Sequence, residues 1–191
     1  MRNSRQAVIL AGGKGTRLKS TSGDLPKPMV PVLGKPLLQY LIERCSKHDI
    51  LDIQLLVSYR SEVIEEFFGD GRQFGLSIQY HKEEVPLGTA GALLDLMPQL
   101  KERFLVLYGD TYFEVDLSRF WDFHEVSSGD ASLFLHPNDH PQDSDLVEVD
   151  NNFRITAIHG YPHGDEWRRN LVNAALYIVN KSSLVDVRLQ S

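Results

Sequence analysis

Residues 7–18 read Ala-Val-Ile-Leu-Ala-Gly-Gly-Lys-Gly-Thr-Arg-Leu, and the prediction of the fold starts from them. The first five are all apolar, without the alternation of a half-exposed strand, which predicts a strand buried on both faces. Gly12, Gly13 and Gly15 follow, and residues without a Cβ let a ligand approach the backbone closely. Arg17 adds positive charge beside loop amides that can donate to phosphate oxygens. The stretch therefore predicts a phosphate-binding loop at the carboxyl end of a strand, where open α/β sheets bind ligands.

Two better-known glycine motifs fit this stretch poorly. The Walker loop has the spacing Gly-x-x-x-x-Gly-Lys-Ser/Thr, which the chain does not contain. The dinucleotide-binding pattern Gly-x-Gly-x-x-Gly starts at Gly13 and Gly15, but Leu18 stands in place of its third glycine. A Rossmann oxidoreductase would also need an acidic residue after the second strand, where the sequence has Ser58-Tyr59-Arg60. The residues therefore disfavour this alternative.

A lysine between two prolines, Pro26-Lys27-Pro28, follows the glycine loop. Prolines restrict the backbone on both sides, so the Lys27 ammonium is directed. Leu-Ala-Gly-Gly-x-Gly-Thr-Arg-Leu followed by Pro-Lys-Pro resembles the sugar-1-phosphate nucleotidyltransferases, and this resemblance implies an NTP site. The nucleotide-binding residues that it implies in this part of the chain are Leu10, Ala11, Gly12, Gly13, Gly15, Thr16, Arg17 and Lys27. Arg17 and Lys27 would be catalytic, since they offset charge on the pyrophosphate and on the α-phosphate.

A second motif, residues 83–93, reads Glu-Glu-Val-Pro-Leu-Gly-Thr-Ala-Gly-Ala-Leu. Gly88 lets a helix begin close to a flat ligand, and Thr89 is the expected cap of that helix. In the family a similar segment lies against the base and the ribose, which implies that Glu83, Gly88 and Thr89 bind the nucleotide. A glycine-rich helix start that merely packs on the sheet is the alternative.

The apolar run from Phe104 ends in Tyr108-Gly109-Asp110. A carboxylate at the carboxyl end of a strand is well placed to hold Mg²⁺ over bound phosphates, although such an aspartate also caps turns. The resemblance implies that Asp110 is the metal ligand and a catalytic residue, and that Mg²⁺ is the cofactor. A second metal-binding aspartate comes from a later strand in the family, and Asp186, in an apparent helix, is not assigned to that role.

The sugar side of the site is implied by resemblance alone. Gly109 and Asn173 are the sugar-binding residues, the latter because residues 173–177 are similar to the Asn-x-Gly-x-Tyr segment of the family. Many relatives carry Glu-Lys-Pro where this chain has Gly160-Tyr161-Pro162, so a lysine for the sugar phosphate is missing. Arg168 or Arg169, in the next loop, is the candidate replacement.

Three local predictions concern the remaining elements. Ser61 is the expected cap of a short helix, and residues 146–149 and 153–158 are expected to form a hairpin around an Asp-Asn-Asn turn. His136 and His140 have the spacing of a helical metal pair, but neighbouring prolines break such a helix and favour a loop, either over the sugar pocket or on the surface.

Composition narrows the class of protein further. A formal net charge of -6 argues against a general nucleic-acid binder. The single cysteine, Cys45, falls in an apolar helical pattern that also contains Leu37, Leu38, Leu41 and Ile42, which predicts a core thiol in a reducing, cytoplasmic environment. No apolar run reaches the length of about 20 residues that a membrane span requires, and the polar start is no signal peptide.

These observations predict a three-layer, Rossmann-like α/β fold with a mostly parallel twisted sheet and an antiparallel hairpin. Residues 1–191 are expected to be one nucleotidyltransferase domain, truncated at its C-terminal end. The motifs most resemble the D-glycero-α-D-manno-heptose-1-phosphate guanylyltransferase branch, in which such a domain can be fused to a heptose bisphosphate phosphatase. A fused phosphatase beyond residue 191 and a homo-oligomer both agree with that resemblance.

The implied reaction joins an NTP, with GTP favoured, to a heptose or hexose 1-phosphate, giving an NDP-sugar and pyrophosphate. The partners are therefore the two small substrates, with no nucleic acid and no membrane. The alternative is a regulatory domain that binds a nucleotide or nucleotide sugar with little turnover, since the Glu-Lys pair and a second aspartate are not evident.

Overall fold

A computed structural model describes residues 5–13, 25–83, 88–164 and 167–190, with side chains through residue 185. The strands are β1 (Arg5–Leu10), β2 (Pro31–Val32), β3 (Lys35–Pro36), β4 (Ile50–Val57), β5 (Ser77–Lys82), β6 (Arg103–Tyr108), β7 (Ala131–His136), β8 (Leu146–Val149), β9 (Ile155–His159) and β10 (Val172–Asn180). The helices are α1 (Leu37–Lys47), α2 (Ser61–Phe68), α3 (Gly88–Asp95), α4 (Leu117–Val126) and α5 (Lys181–Gln190). The chain forms two compact units, divided after Ser132 and again after Leu176.

Four parallel strands form the sheet of the first unit, in the order β5-β4-β1-β6. In their register, Ile9 of β1 lies opposite Leu55 of β4 and Leu107 of β6. Parallel neighbours need crossover connections, and α1, α2 and α3 lie in the segments that join these strands. All four strands therefore bring their carboxyl ends to the same edge of the sheet.

Side chains on both faces of β1 are buried, as its unbroken apolar run predicts. Val8 and Ile9 point to opposite faces, and neither is exposed to solvent. Val8 joins a core cluster with Leu56 of β4, Val106 of β6 and Leu93 of α3. The prediction of an α/β fold with mostly parallel strands and flanking helices is confirmed.

Helix α1 begins directly after Pro36 and packs against β4. Four of the five side chains that the periodicity places on one face are buried: Leu38, Leu41, Ile42 and Cys45. Leu37, the first residue of the helix, is only half-buried. Burial raises the pKa of the Cys45 thiol to about 12, so the thiol stays protonated and inert at neutral pH. The prediction of a core cysteine is confirmed.

Two predicted helix caps are wrong. Ser61 is itself the first residue of α2 and is buried, while Arg60 precedes the helix in the left-handed region with a φ of 52° and caps it with no side chain. Thr89 is the second residue of α3, and its hydroxyl pairs with the Tyr108 hydroxyl at 2.8 Å. The local pattern assigned both side chains to capping a helix. Instead, Ser61 is buried and Thr89 makes a tertiary contact.

The second unit contains the predicted hairpin, in which β8 and β9 pair antiparallel. The Asp150 carboxylate accepts the backbone N–H groups of Asn152 and Arg154, each at 2.8 Å, and so fixes the turn. Strand β8 also pairs antiparallel with β10 through Leu146 and Val172. The hairpin prediction is confirmed, with the second strand starting at Ile155 rather than at Phe153.

None of the helices within the described ranges is both long enough and apolar enough to cross a membrane.

Candidate active site

A pocket of about 330 Å³ opens at the carboxyl ends of the parallel strands in the first unit. It is lined by residues from both motifs, from the proline-flanked lysine and from the end of β6: Leu10, Gly12, Gly13, Lys27, Pro28, Glu83, Gly88, Thr89, Ala92, Tyr108 and Asp110. Segments far apart in the sequence therefore meet at the edge of the sheet where α/β folds bind ligands.

Most of the residues predicted to bind the nucleotide line this pocket, but not all. Ala11 does not, because it is buried and its backbone N–H donates to the Leu56 carbonyl at 2.8 Å. Gly15, Thr16 and Arg17 lie outside the described residues, so their predicted contacts stay predictions. The direct role of each lining residue also stays a prediction.

Lys27 is held in place by the structure around it. It begins a short 3-10 helix, Lys27–Met29, in which Pro28 and Met29 are buried, and the preceding Pro26 is extended. Its ammonium donates a hydrogen bond to the Asp110 carboxylate and forms an ion pair with it. Both side chains are about one-third exposed, at 35% and 31%, so a ligand in the pocket can reach either of them.

Asp110 follows β6 in a tight turn, in which the Thr111 N–H and hydroxyl both donate to the Tyr108 carbonyl. Carboxylate oxygens suit Mg²⁺, which also keeps waters and takes phosphate oxygens as ligands. Among the described residues there is no group of three or more His, Cys, Asp or Glu side chains that could hold a metal ion. The Asp110 carboxylate is therefore a chemically suitable ligand for Mg²⁺ beside the phosphates of a substrate.

Close packing explains two of the glycines at the strand ends. A Cβ on Gly12 would lie 3.2 Å from both Glu83 Oε2 and Ser58 Cβ. A Cβ on Gly109 would lie 3.1 Å from Ala11 Cβ and 3.2 Å from the Leu10 carbonyl oxygen. Gly109 does not line the pocket, so its visible role is to let β1 and β6 end close together, and its predicted sugar contact stays a prediction.

Three lining residues were not among the predicted site residues: Pro28, Ala92 and Tyr108. Pro28 belongs to the Pro-Lys-Pro segment and Ala92 to the motif at residues 83–93. Membership of these motifs could have identified both as site residues. Tyr108 is a polar residue at the end of an apolar strand, directly before Gly109-Asp110. Its hydroxyl bonds to Thr89 and thereby ties the start of α3 to the end of β6.

Asn173 and Arg168, which were predicted on the sugar side, lie in the second unit, whereas Gly109 lies in the first. Asn173 Oδ1 accepts the backbone N–H of Ala175 at 3.1 Å. Arg168 lies with its Nη1 3.0 Å from His159 Nε2 and 3.3 Å from Glu148 Oε1, so it contacts the strand that leads into Gly160-Tyr161. Arg168 thus contacts the strand that precedes the segment for which it was a candidate.

The two histidines with metal-pair spacing do not converge on a common point. His136 Nδ1 contacts the Pro137 carbonyl oxygen at 2.7 Å, and His140 Nδ1 contacts Asp143 Oδ1 at 2.8 Å. The hydrogen bond and charge of Asp143 raise the pKa of His140 above its usual range. The expectation that prolines place this segment in a loop agrees with this geometry.

Comparison with known proteins gives the same family as the motifs. The Nucleotidyl transferase family matches residues 6–190. The chain is 36% identical to D-glycero-alpha-D-manno-heptose 1-phosphate guanylyltransferase from Campylobacter jejuni, over 97% of this chain and 80% of that protein. It is 35% identical to the protein of the same name from Aneurinibacillus thermoaerophilus, over 93% and 75% of the two chains.

A solved structure agrees as well. HddC from Yersinia pseudotuberculosis, complexed with GMP-PN, has a TM-score of 0.77 and 31% identity, over 95% of this chain and 79% of that one. The chain belongs to the nucleotidyl transferase family.

Proposed function

We propose that this chain transfers the guanylyl group of GTP to a heptose 1-phosphate, giving a GDP-heptose and pyrophosphate. One observation carries the proposal: a single pocket is lined by Gly12 and Gly13 of the glycine loop, by Lys27 and by Asp110. The 36% identity to a heptose 1-phosphate guanylyltransferase over nearly the whole chain supports the choice of both substrates.

The reaction needs no protein nucleophile. An oxygen of the sugar phosphate attacks the α-phosphorus of GTP, and the bond from that phosphorus to the bridging oxygen of the β-phosphate breaks. Pyrophosphate leaves with the electron pair. Two anionic substrates repel each other, so the main tasks of the protein are to position them and to offset their charge.

Lys27 is the described cation in the pocket that can offset this charge. Its ammonium would bind oxygens of the triphosphate, with Arg17 and the loop amides as further candidates from the sequence. Loss of a cation that acts on charge in the transition state typically costs about 10²–10³ in rate. Asp110 would hold Mg²⁺, which when bound neutralises phosphate charge.

Gly109 and Asn173 would contact the sugar, and Arg168 or Arg169 is the candidate cation for the sugar phosphate. A cytoplasmic location fits this proposal, as does the single buried thiol. A homo-oligomer and a fused phosphatase domain are part of the same proposal. Both rest on the family resemblance alone.

A pyrophosphate-release assay tests the proposal with GTP, UTP, CTP and dTTP, each paired with heptose and hexose 1-phosphates. We expect turnover to be fastest with GTP and a heptose 1-phosphate, and Asp110→Asn to abolish it. A clear pyrimidine preference would contradict the guanylyl assignment and leave the family unchanged. Nucleotide binding without any pyrophosphate release would instead favour the alternative, a regulatory nucleotide-binding domain.

A further inference from the structure

Three side chains of the second unit form a triangle of contacts: Glu148 on β8, His159 at the end of β9 and Arg168 in the loop that follows. Glu148 Oε1 lies 2.9 Å from His159 Nε2 and 3.3 Å from Arg168 Nη1, and this Nη1 lies 3.0 Å from the same His159 Nε2. The side chains of Glu148, His159 and Arg168 are 41%, 24% and 19% exposed. The three groups are therefore largely shielded, yet a solute can still reach them.

The register of the hairpin brings Glu148 and His159 together. Leu146 lies opposite His159, and Glu148 lies opposite Ala157. Because side chains alternate along a strand, Glu148 and His159 share one face of the hairpin as diagonal neighbours, within reach of long side chains. The pairing of two strands thus fixes two corners of the triangle.

The loop that supplies the third corner is held on both sides of Arg168. Before it, His163 Nε2 lies 3.1 Å from the Ser144 carbonyl oxygen. After it, the side-chain amide of Asn170 donates to the Asn138 carbonyl at 2.6 Å. A change in the triangle is therefore expected to be a change of hydrogen-bond partners.

His159 Nε2 cannot bond to both of its neighbours at the same time. The Arg168 guanidinium only donates, so its bond to Nε2 needs the lone pair of a neutral ring with its proton on Nδ1. The Glu148 carboxylate only accepts, so its bond needs a hydrogen on Nε2. The triangle therefore has two states, and a proton on Nε2 decides between them.

An anion at Arg168 shifts the balance between these two states. Without a ligand, a charged imidazole would lie 3.0 Å from the guanidinium, with Glu148 as the carboxylate that pairs with both. A phosphate dianion beside Arg168 attracts a second positive charge. Within the described residues no other charged side chain contacts His159, and Asp145 lies near the same end of β9, where it accepts the Tyr161 N–H at 2.8 Å. Asp145 attracts the charged ring with or without a ligand, so the ligand is what changes the balance.

We propose that His159 takes up a proton when the phosphate of the sugar substrate binds Arg168. The inference rests on the proposed function, which makes Arg168 a candidate for the sugar phosphate, and adds a residue through which binding depends on pH. The proton moves the Nε2 bond to Glu148, and one Arg168 N–H passes from the ring nitrogen to a phosphate oxygen. The imidazolium also adds a positive charge beside the phosphate. His159 is thus a positioning residue that acts on the phosphate through Arg168.

Proton uptake on binding tests this inference without turnover. Heptose 1-phosphate is titrated calorimetrically at about pH 7.5, where its phosphate is a dianion, with Mg²⁺ and a GTP analogue that cannot be cleaved between the α- and β-phosphates. Two buffers of different ionisation enthalpy give the number of protons taken up. The proteins are the wild type, His159→Gln and His136→Gln.

The two variants isolate the titration of one ring. A glutamine amide at position 159 can accept from Arg168 and donate to Glu148 at once, so it keeps both contacts and removes only the proton exchange. His136 is exposed in the same unit and contacts the carbonyl oxygen of Pro137, which makes it the control for the loss of a histidine.

We expect the wild type and His136→Gln to take up about one proton for each sugar phosphate bound, and His159→Gln to take up almost none. By linkage, the Kd of the wild type should rise by up to about tenfold from pH 7.5 to pH 8.5, whereas that of His159→Gln should stay nearly flat. In turnover, the KM for the sugar phosphate should follow the same profile and kcat should not.

Four outcomes would overturn the inference. Binding to the wild type without proton uptake would remove the role of His159 and leave guanylyl transfer intact. Equal uptake by His159→Gln would assign the proton to another group. Unchanged affinity for the sugar phosphate in Arg168→Gln would show that the phosphate binds elsewhere. A wild type that binds no heptose 1-phosphate would overturn the inference and the proposed sugar substrate together.

Discussion

Lys27 and Asp110 contact each other, although the proposed reaction assigns a different ligand to each of them. The Lys27 ammonium is proposed to bind phosphate and the Asp110 carboxylate to bind Mg²⁺, yet in the structure each is the partner of the other. Both side chains are about one-third exposed, so the pair contributes little to stability. Its consequence lies in binding, because a cation beside Asp110 opposes the approach of a second cation.

We therefore expect a divalent cation to bind Asp110 tightly only when GTP draws Lys27 to its phosphates. Lys27→Met should raise the affinity for Mn²⁺ in the absence of nucleotide about fivefold, the effect of removing about 1 kcal/mol of charge repulsion. Asp110→Asn should lose Mn²⁺ binding with or without GTP. Electron paramagnetic resonance of free Mn²⁺ measures these affinities directly.

Lys35→Met is the matched control, because Lys35 is paired with Glu43 and does not line the pocket. It should leave Mn²⁺ binding unchanged. Equal Mn²⁺ affinity in the wild type and in Lys27→Met would contradict the competition between the two cations.

The sequence predicted Lys27 and Asp110 separately but not the bond between them. The two positions are 83 residues apart, and only the order of the parallel strands brings them together. The same limit explains Thr89, which pairs with a tyrosine 19 residues away instead of capping its own helix. Local patterns identify which residue types are present, whereas their partners depend on tertiary contacts.

At the level of the elements, the ends of β1 and β6 leave little room for a side chain at Gly109. Gly109 donates its backbone N–H to the Leu10 carbonyl at 2.9 Å, and the ideal Cβ position on Gly109 is crowded by atoms of Leu10 and Ala11. Two of the three nearest atoms are backbone, which cannot rotate away as a flexible side chain can. A larger residue here must push the strand ends apart.

Gly109→Ala should therefore destabilise the protein by about 1–3 kcal/mol, as other overpacked positions do. For a chain of this length that lowers the Tm by about 3–10 °C. Gly13→Ala is the control, since a Cβ there meets no atom of the described residues within 4 Å, and its Tm should stay within about 1 °C of the wild type. Differential scanning calorimetry compares the three proteins, and an unchanged Tm for Gly109→Ala would refute the packing argument.

Long elements with a clear apolar pattern were predictable, and short ones were not. Strand β1 follows from five consecutive apolar residues, and the hairpin of β8 and β9 from its Asp-Asn-Asn turn. The two-residue strands β2 and β3 escaped prediction because each contains a proline, which normally argues against a strand. The start of α2 was also missed, since Arg60 adopts a positive φ that its residue type does not favour.

For the molecule as a whole, partly or fully buried histidines link stability to pH. Desolvation by burial lowers the pKa of His48, His81 and His124 below the usual 6.5. Each side chain has a hydrogen-bond partner, for example Ser132 and Asn180 for His124. All three therefore lie in the folded chain as neutral groups that resist protonation.

The sign of the effect follows from where the protons bind. Between pH 6.5 and the lower folded pKa values, the unfolded chain binds more protons than the folded one, so stability falls as the pH falls. We expect the free energy of unfolding in urea to be nearly constant above pH 7 and to decrease from about pH 6.5 downward. His140 acts in the opposite direction, because its pKa is raised, and its contribution is lost as the pH rises through that value.

His81→Gln isolates one histidine, because a glutamine amide can still donate to Gln54 as the ring nitrogen does. This variant should show a shallower fall in stability between pH 6.5 and pH 5 than the wild type. His140→Gln, at an exposed site, should leave that fall at least as steep. Parallel curves for the wild type and for His81→Gln would exclude His81 as a contributor.

The close approach of Glu83 to Gly12 couples two positions that lie 71 residues apart. The Cβ of an alanine at position 12 would lie 3.2 Å from Glu83 Oε2 and 3.2 Å from Ser58 Cβ. A shorter residue at position 83 removes the first of these neighbours. The residues tolerated at position 12 therefore depend on the residue at position 83, so the two positions are epistatic. A library that varies both positions together should contain viable sequences that are absent from a library in which only one position is varied.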